Sequence, residues 1–124
     1  MSIFIAIAIL LFSSHSETTL PTIEINSVSM DISTVMRVEC SKFDQSFSAK
    51  KMKRKKILKQ REVDIFLSEL KKLQIMKDRE ETDTRAKIII RYKDHTDTIC
   101  ADRFSIYHYG TCYTLTERLK KIIW

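Results

Sequence analysis

The stretch AKIIIRY, residues 86–92, decides the fold class of this chain because its apolar residues alternate as they do in a half-buried strand. Its β-branched side chains favour the same pleated conformation. Lys87 and Arg91 occupy one face of the predicted strand, and the other face consists of Ala86, Ile88, Ile90 and Tyr92. A strand with a single apolar face belongs to a sheet that is covered on one side.

The residues after this stretch predict more antiparallel strands and a closing helix. A short turn leads into a returning strand over residues 97–104, and Gly110, the only glycine of the chain, marks a second tight turn before another short strand. Thr114 and Glu117 have the spacing of a capping box. We therefore predict a helix over residues 115–123, with an apolar face formed by Leu115, Leu119, Ile122 and Ile123.

The residues before the stretch predict a longer helix over residues 61–74. Its apolar positions 63, 66, 67, 70 and 73 share one helical face. Glu62 and Asp64 fall in the first turn, and Lys71 and Lys72 in the last, which suits the helix dipole at both ends. A loop rich in charged residues follows this helix.

The sequence nearer the N-terminus predicts a hairpin. Residues 22–32, TIEINSVSMDI, alternate as a strand with a change of phase that indicates a bulge or short turn. Met36, Val38 and Cys40 alternate again and are placed as the hairpin partner of that strand. The element order predicts an α+β domain: an antiparallel sheet of about five strands, with two helices, near residues 61–74 and 115–123, packed on one face.

The first sixteen residues, MSIFIAIAILLFSSHS, have the character of a secretory signal. They contain no Asp, Glu, Lys or Arg, and their apolar run of about ten residues is too short to span a bilayer. Small residues three and one positions before Glu17 suit signal cleavage. We predict a signal peptide over residues 1–16 and one small domain over residues 17–124. An uncleaved anchor that tethers the chain to a membrane and a buried first strand are the alternatives.

The basic run AKKMKRKKILKQR, residues 49–61, holds eight basic and no acidic residues, which exceeds the whole net charge of +6. Four interpretations follow: a nuclear address, a site for polyanions such as nucleic acid or anionic glycolipid, a lysine-protected edge strand, or a solvated loop. The address conflicts with an export signal. The candidate binding residues of this run are Lys50, Lys51, Lys53, Arg54, Lys55 and Lys56.

Three cysteines follow the predicted signal, and export into an oxidising compartment favours one disulfide. We favour Cys40–Cys100, since both residues fall in predicted strands, although the two other pairs and three reduced thiols remain open. Cys112 lies beside a turn. No pair of cysteines or histidines has the close spacing of a zinc site, so no metal or other cofactor is predicted.

The catalytic signals in this sequence are weak. His95 and His108 fall in predicted turns, where histidines are usually solvated, and there is no Gly-rich phosphate loop. Aromatic residues near the second turn form either a stacking platform or part of the core. The two candidate binding residues from this turn are Tyr107 and Tyr109.

Residues 83–90, DTRAKIII, residues 97–100, DTIC, and the closing Leu115, Leu119 and Ile122 resemble a type of small exported bacterial protein of unknown function. In such proteins an amphipathic helix precedes an acidic-x-Arg strand start and a hairpin with an Ile-Cys pair. The likeness covers roughly residues 57–123, from which Cys112 and the basic run depart. It implies export and the order of strands and helices, and it brings no activity.

These observations favour a small exported, periplasmic or secreted, non-enzymatic protein that binds an envelope component or a protein partner. A polyanion binder that combines the basic run with the aromatic turn is the first alternative. A small hydrolase or nuclease is the second, and it lacks a general base in a persuasive setting.

Overall fold

The computed structural model of the chain describes residues 20–48 and 52–124. Its six strands form one antiparallel sheet in the order β2-β1-β3-β4-β5-β6. The strands are β1 (Thr22–Ser27), β2 (Arg54–Ile57), β3 (Ala86–Arg91), β4 (Thr96–Ala101), β5 (Ser105–His108) and β6 (Thr111–Thr114). Three helices accompany them, α1 (Phe43–Ser46), α2 (Gln60–Leu70) and α3 (Glu117–Ile123), with a 3₁₀ turn at Cys40–Lys42.

The predicted α+β class with an antiparallel sheet is confirmed, with six strands and three helices in place of about five and two. The alternation in AKIIIRY produces the apolar face as expected, because Ile88 and Ile90 lie opposite Ile25 and Ile23 of β1. This helix-side face packs against α2 and α3. The core consists of Ile23, Ile25, Leu58, Val63, Phe66, Ala86, Ile88, Ile90, Ile99, Ala101, Ile106, Leu119 and Ile123.

The other side of the sheet, the open face, is more polar. Lys87 lies on this face and donates a 2.7 Å hydrogen bond to Asp44 of α1. Helix α1 therefore lies on the opposite side of the sheet from α2 and α3. Beside it a second apolar cluster forms from Val28, Val38, Phe43 and Phe47.

The predicted hairpin partner at Met36, Val38 and Cys40 is wrong. Residues 33–39 form no strand, and Cys40 begins the 3₁₀ turn. The N–H of Val38 donates to the carboxylate of Asp83 at 2.8 Å, and its carbonyl oxygen accepts from Thr84 at 2.7 Å. The basic run takes the place beside β1 instead, as strand β2.

Strand β4 and helix α2 end earlier than predicted, because the residues after them bond to a side chain or to another strand. The strand predicted over residues 97–104 breaks after Ala101, where the Asp102 carboxylate accepts from the backbone N–H groups of Phe104 and Ser105 at 2.8 Å each. Helix α2 ends at Leu70, and the residues after it run along β6.

The helix at the C-terminus begins later than predicted. Its N-cap is Thr116, whose hydroxyl accepts from the N–H of Leu119 at 3.2 Å. Thr114 was the predicted cap, but it belongs to β6 and donates its N–H to the carbonyl oxygen of Gln74. The predicted signal peptide, residues 1–16, and the cleavage site before Glu17 lie outside the described residues.

Candidate functional site

The basic run places strand β2 at one edge of the sheet, with β1 as its neighbour. Arg54, Lys55 and Lys56 belong to the strand, and Lys53 precedes it. Lys50 and Lys51 lie outside the described residues. Within the described part of the basic run, residues 54–57 therefore form an edge strand, as one of the four interpretations predicts.

The backbone hydrogen bonds of β2 alternate in direction. The N–H of Leu58 donates to the carbonyl oxygen of Ile23 at 3.0 Å. Lys56 and Arg54 lie two and four residues before Leu58, so their backbone groups face β1 as well. In an antiparallel pair, every second residue faces the neighbouring strand. The backbone groups of Lys55 and Ile57 therefore point away from β1. Within residues 20–48 and 52–124, no backbone group bonds to them.

The opposite edge of the sheet is covered. The backbone groups of Cys112 and Thr114 in β6 point outward, and one group of each residue bonds to the loop after α2. Met76 donates its N–H to the Cys112 carbonyl oxygen, and Thr114 donates to the Gln74 carbonyl oxygen, both at 2.9 Å. The loop after α2 thus bonds to both outward residues of β6, whereas no backbone group among the described residues bonds to Lys55 or Ile57 of β2.

Strand β2 divides its side chains between the two faces of the sheet. Arg54 and Lys56 lie on the helix side, where the Lys56 ammonium donates to the carbonyl oxygen of Ile122 near the end of α3. Lys55 and Ile57 lie on the open face, and Ile57 is 53% exposed. The edge thus combines cations with an exposed apolar side chain.

Acidic side chains already balance part of this charge. Lys55 lies 3.5 Å from a Glu24 carboxylate oxygen, and Lys53 lies 3.7 Å from one of Asp44. The hydrogen bond from Asn26, and then the nearby Lys55 and Arg91, hold the pKa of Glu24 below its usual value.

Asp44 behaves in the same way, since the hydrogen bond from Lys87 lowers its pKa and Lys53 adds to the effect. Arg54 forms none of the ion pairs found in the part of the chain that the structure describes. It is therefore the cation of β2 that is most available to a ligand.

The aromatic turn does not adjoin the basic edge. Tyr107 lies on β5, four strand spacings from β2 in the sheet order, which is about 19 Å. This strand order contradicts the hypothesis that the basic run and the aromatic turn form one binding surface. The two tyrosines also have different surroundings. Tyr107 is half-buried on the open face, and Tyr109 is exposed in the turn.

The turn that carries Tyr109 is a two-residue hairpin loop. Tyr109 and Gly110 both have positive φ, 49° and 76°, as a type I′ turn requires. The nearby Asp97 carboxylate raises the pKa of the Tyr109 hydroxyl. The backbone conformation gives Tyr109 a structural role in this turn.

The histidines each contact a carboxylate, a pairing that no pattern in the sequence indicates. His108 Nε2 lies 2.8 Å from Asp97, and His95 Nδ1 lies 2.7 Å from Asp94 while its ring stacks on Tyr92. In residues 20–48 and 52–124 neither imidazole hydrogen-bonds to a serine or cysteine side chain. Nor does any group of three or more metal-ligating side chains come together there.

Cys40 and Cys100 form a disulfide with a Cα–Cα distance of 5.6 Å, which is the pair favoured from the sequence. It attaches the 3₁₀ turn to the open face over β4. Cys112 is a buried free thiol whose pKa is raised by desolvation. Tyr107 lies between Cys100 and Cys112 in the strand register, so the third cysteine is not adjacent to the disulfide.

A depression of about 430 Å³ lies beside the disulfide and is lined by Glu39, Cys40, Ser41, Glu81, Thr82, Lys87, Thr98 and Tyr107. Glu81 and Lys87 already pair with Arg37 and Asp44. Near it, Asp83 and Arg85 bond to each other at 2.9 Å and to the loop around Val38. The charged groups around the depression hold loops together.

No helix within residues 20–48 and 52–124 has the length and apolar character needed to cross a bilayer. Comparison of the chain with protein-family models, curated proteins and solved structures finds no match.

Proposed function

We propose that this chain is a small exported, non-enzymatic binding protein whose basic edge, residues 53–57, receives an acidic segment of a protein partner. The observation that supports the proposal is the difference between the two edges of the sheet. The loop after α2 covers β6, whereas β2 has a single strand neighbour and carries cations together with the exposed Ile57.

Three features favour a protein partner over a bare polyanion. Carboxylates already balance Lys55 and Lys53, and the Lys56 ammonium bonds to a helix carbonyl. These contacts leave fewer cations for phosphates than the sequence suggests. Ile57 and Met52 also expose apolar surface near these cations. Apolar side chains add little to the binding of a phosphate backbone.

The test is a titration of the purified protein with a fluorescein-labelled peptide of about ten residues that alternates Glu and Val. We expect saturable binding that weakens as salt is added. The double variant Arg54→Gln with Lys55→Gln should lower the affinity roughly tenfold, because two cations near the ligand are lost.

A matched control removes the same charge from the other side of the molecule. Lys71→Gln with Lys77→Gln alters two exposed lysines that flank the loop covering β6. This control should bind the peptide as the unaltered protein does. Equal losses in the two double variants, or the absence of peptide binding at low salt, contradict the proposal.

Polyanion binding is the second candidate, and the exposed Arg54 supports it. Heparin separates the two, because it offers anionic groups without an extended peptide backbone. If heparin binds more tightly than the peptide and its binding depends on Arg54 and Lys55, the edge is a polyanion site.

A further inference from the structure

We infer that the partner's acidic segment binds as a seventh strand, pairing its backbone with Lys55 and Ile57 of β2. This inference rests on the proposed function and adds the mode of binding and the pattern of the ligand. Two residues at an interval of two supply two N–H donors and two carbonyl acceptors, all pointing outward from β1. That is the arrangement to which an extended peptide adds by main-chain hydrogen bonds.

The side chains around those groups define the pattern of the ligand. In an added antiparallel strand, residues opposite Lys55 and Ile57 lie on the open face, and their neighbours lie on the helix side. Lys55 is already paired with Glu24, and Ile57 is exposed. Apolar side chains therefore fit the open face.

The helix side of the added strand has a different requirement. Arg54 is exposed and has no carboxylate partner among the described residues, and Lys56 stands two residues further along. Acidic side chains opposite these two cations complement their charge. The ligand is therefore an extended segment that alternates acidic residues, on the helix side, with apolar residues on the open face.

A second copy of this chain is a poor occupant of the same edge. Antiparallel pairing of two β2 strands places Lys55 opposite Lys55 in one register and Lys56 opposite Lys56 in the next. Like charges directly opposite each other destabilise a strand pair. The lysines that exclude a second copy are the groups that attract an acidic segment.

Backbone methylation of the Glu-Val peptide tests the binding mode without changing its charge. If the apolar residues lie on the open face, the N–H groups of the Val residues point toward β2, and those of the Glu residues point away. N-methylation of the Val residues should lower the affinity at least about tenfold, because the strand hydrogen bonds are lost. N-methylation of the Glu residues should leave the affinity within about twofold of the parent peptide.

Amide hydrogen exchange of the protein supplies an independent measurement. On addition of the parent peptide, the N–H groups of Lys55 and Ile57 should exchange more slowly by about tenfold or more. The N–H of Lys56 already bonds within the sheet and should change little.

Equal binding of the parent and both methylated peptides, without protection of Lys55 and Ile57, overturns strand addition and leaves the proposed acidic-partner function intact. Failure of the parent peptide to bind removes both. If only the Glu-methylated peptide loses binding, the Glu side chains lie on the open face and the Val side chains on the helix side. That result overturns the proposed ligand pattern.

Discussion

The disulfide between Cys40 and Cys100 joins residues 60 positions apart in the chain and fastens the 3₁₀ turn to strand β4. The segment from Cys40 to Phe47 forms only a short turn and the four-residue helix α1. It is not a strand of the sheet, so no strand hydrogen bonds hold it there. The disulfide therefore helps to hold the second apolar cluster, with the buried Phe43 and Phe47, on the sheet, together with the hydrogen bond from Lys87 to Asp44.

Replacement of Cys40 and Cys100 by Ser together should lower the free energy of unfolding by about 4 kcal/mol, since the bond closes a long loop. Urea denaturation with and without reductant measures the loss. Cys112→Ala retains the disulfide and should still lose stability when reductant is added. If the double Ser variant is as stable as the oxidised protein, the bond does not hold this segment.

The buried carboxylate of Asp102 organises the turn between β4 and β5. One oxygen accepts from Ser105 Oγ at 3.0 Å as well as from two backbone N–H groups. The other oxygen accepts from Arg79 at 2.9 Å and from the backbone N–H of Asp83 at 3.1 Å. Truncation leaves several of these donors unsatisfied in a nearly buried site.

Asp102→Ala should therefore cost about 3 kcal/mol of unfolding free energy. Asp102→Asn keeps one acceptor oxygen and should cost less. Asp78→Ala, in the exposed loop nearby, should change stability by less than about 0.5 kcal/mol. Thermal and chemical denaturation compare the three, and a loss for Asp102→Ala no larger than that for Asp78→Ala contradicts the role assigned to this carboxylate.

The sequence predicts the centre of this fold well because short-range periodicity carries the information there. Residues 86–91 alternate between the buried core and the less buried open face, as their sequence pattern predicts. The apolar stripe of α2 and the hairpin turn at Gly110 are similarly local features. The ends of the elements are less predictable, since they depend on long-range bonds such as that from Thr114 to Gln74.

The N-terminal region was predicted poorly for the same physical reason. Met36, Val38 and Cys40 alternate like a strand, but Asp83 and Thr84, more than forty residues away, take the backbone bonds of Val38. The outward backbone groups of β2 could not be predicted either. Their direction depends on the register between β1 and β2, and a shift of one residue would reverse it.

Acid should destabilise the protein partly through Glu24. The Asn26 hydrogen bond and two nearby cations lower its folded-state pKa below the ordinary value of 4.5. The stabilisation by the ionised form is therefore complete above about pH 4.5 and is lost as the pH falls through the folded-state pKa. Asp44, whose pKa is also lowered, contributes in the same direction at lower pH.

We expect Glu24→Gln to cost about 1 kcal/mol or less near neutral pH and to lose less stability than the unaltered protein between about pH 5 and about pH 3. Urea denaturation at several pH values measures both quantities. Glu80→Gln, at an exposed loop position, is the control and should follow the unaltered protein. Parallel pH profiles for Glu24→Gln and the unaltered protein contradict the assignment.

Proline substitutions in β2 distinguish the two directions of its backbone. Proline has no N–H, so its cost depends on whether the lost donor was used. The N–H of Lys56 faces β1, opposite Ile25, whereas the N–H of Lys55 points outward. Lys56→Pro should therefore cost about 3 kcal/mol, and Lys55→Pro should cost at least about 1 kcal/mol less.

The same pair of variants tests the edge as a binding surface. If Lys55→Pro folds, it should bind the acidic Glu-Val peptide more weakly than Lys55→Gln, because it lacks a backbone donor as well as the charge. Equal affinities for the two variants contradict a role for the Lys55 N–H in binding. Equal destabilisation by proline at positions 55 and 56 contradicts the register of β2 on β1, since that register makes only one of the two N–H groups part of the sheet.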